Sequence, residues 1–135
     1  MERATFKPIG ALVEDLDTPA LVLDISGVEK NLETVHGFFQ DRTAMLRPHV
    51  KTHGCPALAH LQLEYGQTVG GICTAKVSQA EVFAKNGITD ILIANQVVSK
   101  GGIGRLCALA KQVEMTVAVD NSQNILDISD AARVS

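Results

Sequence analysis

The feature that most constrains this chain is an alternation. Short apolar runs at residues 18–24, 44–53, 68–75, 90–95 and 114–120 are separated by stretches whose apolar side chains recur every three or four positions. The first pattern is that of strands and the second that of amphipathic helices, so the order is β and α in turn. With these boundaries the repeat is about 22 to 27 residues, the size of a βαβ unit. Two architectures build on such units: a doubly wound open sheet and a closed (β/α)8 barrel, both of which place reactive groups at the C-terminal ends of strands.

The helices carry end signals. Ser26 with Glu29, and Ser78 with Glu81, have the spacing of a capping box, Val77 and Val82 are placed for a hydrophobic staple, and Gly87 is a C-cap candidate. Val28, Leu32, Val35 and Phe39 would form the buried stripe of the first helix. Pro56 suits a first helical turn, with Leu58, Ala59 and Leu61 inward. Ala80, Phe83 and Ala84 suit the core side of the next helix. Ile103, Leu106, Cys107 and Ala110 repeat the pattern after the 90–95 strand, and Ser122 opens a last helix. His36 and His60 fall on predicted helices and read as surface residues.

Composition narrows the function classes. Twelve Lys and Arg against fifteen Asp and Glu leave a net charge of −3, without the basic face that nucleic acid or an anionic membrane would need. The apolar run at 19–23 is far shorter than the roughly 20 residues of a membrane span, and residues 1–8 lack the apolar core of a secretory signal. The expectation is a cytoplasmic protein. Cys55, Cys73 and Cys107 form no Cys-x-x-Cys pair, which predicts reduced, mostly buried thiols. Neither a Gly-x-Gly-x-x-Gly turn nor a P-loop is present; the Gly101-Gly102-x-Gly104 cluster reads as a helix entry.

One segment is chemically distinctive: Arg47-Pro48-His49-Val50-Lys51-Thr52-His53. On an extended strand Arg47, His49, Lys51 and His53 would project to one face. Burying such a set without partners is costly, so the face is either wet or meets an anion. Crowded cations and desolvation also lower a lysine pKa, making Lys51 a candidate nucleophile able to form a Schiff base. A solvated edge strand and a partial metal site are the other readings of the same spacing. Lys76, at the end of the 68–75 strand, lacks such a crowd. Asn95 with Gln96, and Asp120 with Asn121, end later strands, where barrel enzymes place function and where helix capping is the simpler role.

The runs TPALVLD, LRPHVKTH, AKVSQAEV and DILIANQVV together resemble the N-terminal barrel part of the alanine-racemase-like, fold-type III pyridoxal phosphate enzymes, in the D-threonine aldolase and D-serine dehydratase branch. The resemblance runs from about Asp15 to the end of the chain and departs from that branch at Gly54, where a basic residue is common. It implies the N-terminal half of a (β/α)8 TIM barrel, about four βα units plus an opening strand at 18–24, with residues 1–17 as an N-terminal extension and 18–135 as the partial barrel domain. It implies Lys51 as the catalytic and cofactor-bearing lysine, Arg47, His49 and Asn95 as further cofactor-binding residues, and pyridoxal 5'-phosphate as cofactor. His53 would orient a neighbour.

The implied substrate is a D-β-hydroxy amino acid, with aldolase, dehydratase and racemase chemistry all within the family. A divalent metal belongs to the full-length relatives and has no ligand set in this sequence. A barrel needs about 250 residues, so the chain of 135 reads as an N-terminal piece, with homodimerisation or self-association expected through unpaired sheet edges. A noncatalytic half-barrel and a small flavodoxin-like domain are the competing readings.

Overall fold

The computed structural model describes residues 9–135; of the N-terminal extension expected from sequence, residues 1–8 lie outside that range. The elements are α1 (Ile25–Gly37), α2 (Pro56–Glu64), β1 (Ile72–Thr74), α3 (Val77–Lys85), β2 (Asp90–Ile93), α4 (Lys100–Ala110), β3 (Glu114–Val117) and α5 (Ser122–Val134), with short 3-10 turns at Val13–Asp15 and Val50–Thr52. The strands form a parallel sheet in the order β1-β2-β3, in which Ile72 pairs with Ile91 and Ile91 with Met115.

Strand order that follows chain order, joined by helical crossovers of one hand, puts every crossover on the same face. Side chains agree. Ile72, Ile91 and Ile93 join Ala80 and Phe83 of α3 and Ile103, Leu106 and Leu109 of α4 in one buried core, against which Met115, Val117 and Ile128 pack. The strand-order reversal of a doubly wound, flavodoxin-like sheet is absent from the described residues.

The segment before β1 is a fourth, irregular neighbour of this sheet. Leu46 bridges Thr68 and His49 bridges Cys73, both in parallel, and Cys73 N–H donates to Pro48 O at 2.8 Å. The expected strand through residue 53 stops at His49, because the chain then tightens into the Val50–Thr52 turn. The expected strand at 18–24 is not formed either. It has no ladder partner among the described residues, and Leu21 is fully exposed; an extended apolar run becomes a strand only by pairing.

Both predicted capping boxes are displaced. Asp24 and Lys76 are the N-cap residues, so Ser26 and Ser78 sit inside their first turns and cap nothing. Gln79 takes over at α3 by accepting from Ala75 N–H at 3.1 Å, while Glu81 turns outward to Arg105 and Val82 is exposed rather than stapled. At the other end of α3, Ile88 N–H reaches Phe83 O and Gly87 N–H reaches Ala84 O, the paired bonds of the C-cap expected at Gly87. The α1 stripe also differs: Leu32 and His36 are buried, whereas Val35 is exposed.

Candidate active site

The register resolves the sheet's other face into rows. His49, Cys73, Leu92 and Thr116 stand side by side. Two residues earlier on each strand come Arg47, Gly71, Asp90 and Glu114, because alternate residues share a face.

In the lower row Arg47 is held. Its Nη1 and Nη2 donate to Asp90 Oδ1 and Oδ2 at 2.8 and 2.9 Å, and Nη1 also reaches Ile72 O at 3.3 Å. The pair crosses Gly71, where an added Cβ would lie 2.5 Å from Arg47 Nη1 and closer still to the carboxylate. Glycine is required here for space. The Asp90 hydrogen bond raises the Arg47 pKa further, so this guanidinium is a permanent cation with a permanent partner. The structure thus shows Arg47 bonded to Asp90 in the row beneath His49.

The row above carries His49. Its Nδ1 accepts from Lys51 N–H at 3.3 Å, which leaves the ring proton on Nε2. Burial, and secondarily the charge of Lys51, lower its pKa, keeping the ring neutral at neutral pH. Cys73 beside it is buried, which raises its thiol pKa against the opposing pull of Arg47.

Lys51 itself lies in the 3-10 turn just past the C-terminal end of the extended segment. It is exposed, and among the described residues its ammonium has no ion pair or hydrogen bond. The single-face arrangement expected of Arg47, His49, Lys51 and His53 does not occur, since the turn at Val50–Thr52 breaks the alternation after His49. His53 instead accepts from Cys55 N–H at 3.0 Å through Nδ1 and donates from Nε2 to Gln62 Oε1 at 3.2 Å. That is the orienting role expected of it. Gly54, which follows, takes φ +60°, a conformation that a basic side chain would adopt only with strain.

The neighbouring strand end is clamped. Asn95 Nδ2 donates to Ala75 O at 2.9 Å while Gln79 holds the Ala75 N–H. Asn95 therefore braces the β1–α3 turn and the exposed Lys76 beyond it. At the end of β3, Asn121 caps α5 by accepting from Asn124 N–H at 2.9 Å, the simpler role expected of it, and its Nδ2 donates to Asp120 Oδ1 at 3.0 Å. Gln96 is exposed. The Gly101-Gly102-Gly104 cluster lies in the first turns of α4, capped by Ser99.

Sequence reasoning missed Asp90, Gln79 and Asn124. Asp90 is the one charge in an apolar run, and two residues before the row of His49 it faces Arg47; that register was the available signal. Asn124 is buried and donates to Val97 O at 2.9 Å, tying α5 to the β2–α4 loop. His36, expected on the surface, is 3% exposed.

Comparison with known proteins places this arrangement. No family model matches the chain. A D-threonine aldolase from Arthrobacter sp is 41% identical over 116 residues, covering 86% of this chain and 30% of its own length. A 3-hydroxy-D-aspartate aldolase from Paracoccus denitrificans is 38% identical over 120 residues, 88% of this chain and 31% of that one. The crystal structure of D-threonine aldolase from Filomicrobium marinum matches with TM-score 0.84 and 43% identity over 90% of this chain and 32% of that one. The chain thus spans about 30% of the length of the relatives it matches, and over that span it is similar to the D-threonine and 3-hydroxy-D-aspartate aldolases.

Proposed function

We propose that this chain carries the anchoring lysine of a pyridoxal phosphate-dependent lyase acting on D-β-hydroxy amino acids, with Lys51 as the Schiff-base lysine. One observation carries the reading: in a chain 41% identical to a D-threonine aldolase, Lys51 offers an exposed amine without a bonded partner among the described residues, just past a strand's C-terminal end. The singly wound βα array is the arrangement that a (β/α)8 barrel repeats, which supports residues 18–135 as part of such a barrel.

The side chains suit the cofactor. An aldehyde needs a primary amine free of competing bonds, and Lys51 has one. Pyridoxal phosphate, when bound, supplies an electron sink for charge developing at the substrate Cα. Lys51 Nζ would tether the aldehyde and, once released, accept a proton. His49 presents Nε2–H as a neutral donor, fixed by the bond from Lys51 N–H. Asn95 sets the height of the adjacent strand end through Ala75. Arg47, held by Asp90, acts beneath them as a brace. Among the described residues no three His, Cys, Asp or Glu side chains converge.

The test is an absorbance titration of the chain with pyridoxal phosphate beside Lys51→Ala, followed by D-threonine or L-threonine. The expected result is a visible band in the parent chain, absent from the variant and altered by the D-enantiomer alone. Release of glycine and an aldehyde identifies aldolase chemistry, and release of a keto acid and ammonia dehydratase chemistry. No band, or an equal band in both proteins, removes Lys51 as the anchor.

A further inference from the structure

A cleft lies at the opposite end of the sheet from Lys51. The turn from α2 into β1 (residues 65–68) and the end of α1 both precede strand segments, and the Leu46–Thr68 bridge holds them together. The cleft sits between them, about 390 Å³ in volume and lined by Glu33, His36, Gly37, Gln40, Tyr65 and Gln67. Its volume is within the usual range of small-molecule sites.

The cleft offers several acceptors and no Lys or Arg side chain among its lining residues. His36 is 3% exposed, and its Nδ1–H donates to Gly66 O at 2.7 Å. In that tautomer Nε2 is an acceptor, and among the described residues nothing donates to it. The Glu33 carboxylate lies three residues earlier on the same helix face, and among the described residues neither Glu33 nor Glu29 has an ion pair. Both carboxylates, after burial, raise the Tyr65 pKa, so the negative potential reaches the phenol. Gln40 and Gln67 add primary amides, whose oxygens can accept. Tyr65 and His36 pack with ring centroids 5.6 Å apart at 57°, giving the cleft an aromatic wall. Gln67 stands at φ 56°, a backbone position that a non-glycine residue holds only at some cost.

An imidazole acceptor without a protein donor, a carboxylate without a counter-ion, amide oxygens and aromatic faces with no lining cation are complementary to positive charge that carries N–H donors. We propose that this cleft binds a small organic cation, a primary amine or guanidine, at a site separate from Lys51. A bare metal ion fits less well, because the cleft exceeds an ion's size and lacks three strong ligands.

Agmatine is the probe, followed by NMR of the His36 and Tyr65 side chains of the whole chain, with 1,4-butanediol as a neutral control and tetramethylammonium as a cation without N–H donors. Saturable shifts with agmatine are expected, at least about tenfold weaker in Glu33→Gln and with tetramethylammonium, and absent with the diol. Glu33 is exposed, so the variant keeps the fold, which circular dichroism checks. Absence of saturable shifts, or equal affinity in Glu33→Gln, overturns the proposal. Lys51→Ala should leave agmatine binding unchanged, which keeps this outcome independent of the anchor lysine.

Discussion

Gly71→Ala tests the chemistry of the sheet's free face. Gly71 does not use the left-handed region, so alanine adds no backbone strain, and the whole cost comes from the Cβ meeting Asp90 and Arg47 Nη1. Both obstacles are side-chain ends, so the ion pair is displaced and the strands stay in place. Hydrogen bonds to charged groups contribute about 1.5–3 kcal/mol each. The pair is only partly shielded, at 26% and 21% side-chain exposure, which discounts its contribution. A total loss of about 2 kcal/mol follows, including residual overpacking. With a urea slope of about 1.5 kcal/mol/M, the unfolding midpoint falls by about 1.3 M. The decisive assay is the cycle with Asp90→Ala, in which Gly71→Ala costs less than about 0.5 kcal/mol because its main obstacle is gone. A loss of the same size in both backgrounds, or none in either, would refute the reasoning.

Four further outcomes are expected. His49 should titrate below the ordinary imidazole value of 6.5; because its folded pKa is depressed, its stabilising contribution is full above pH 6.5 and is lost as pH falls through the folded pKa. In Lys51→Ala the NMR midpoint of His49 should rise only part of the way to 6.5, since burial is the larger cause, and a midpoint that does not move would show that Lys51 does not act on the ring. Asn95→Ala should cost about 1 kcal/mol and raise amide exchange at Ala75 and Lys76 while leaving β3 protected; uniform loss of protection would contradict a local brace. Asn121→Ala should cost about 1 kcal/mol and fray the start of α5, measurable as faster exchange at Asn124, whose unchanged protection would place the cap elsewhere.

Periodicity made β1, β2, β3 and the five helices legible, because each helix has one apolar face and the central strands are apolar enough to be covered. It overextended the strands. Residues 44–53 combine a strand-like pattern with a turn at Val50 closed by local bonds, Lys51 N–H to His49 Nδ1 and Gly54 N–H to Val50 O, that alternating apolar residues do not signal. Residues 18–24 have the residues of a strand, but strand formation requires a partner that is absent from the described residues. The capping boxes failed for a related reason: a Ser and Glu three apart fit equally well inside a helix, and the N-cap is set by where the backbone leaves the extended region, at Asp24 and Lys76. At the proposed site, the sequence singled out Lys51 through an expected one-face row of cations, which the turn at Val50–Thr52 breaks up. The Arg47 role was not legible, since its partner lies 43 positions away and becomes adjacent only through the sheet register. His36 misled because a histidine on a helix carries no sign of the carbonyl, Gly66 O, that buries with it.

The most direct test of the central claim is borohydride reduction of the chain after incubation with pyridoxal phosphate, followed by peptide mapping of the modified lysine. The account predicts a pyridoxyl adduct concentrated on Lys51, at one equivalent or less, and its disappearance in Lys51→Ala. An adduct spread evenly over Lys51, Lys76 and the other exposed lysines, or one that persists in Lys51→Ala, would contradict it.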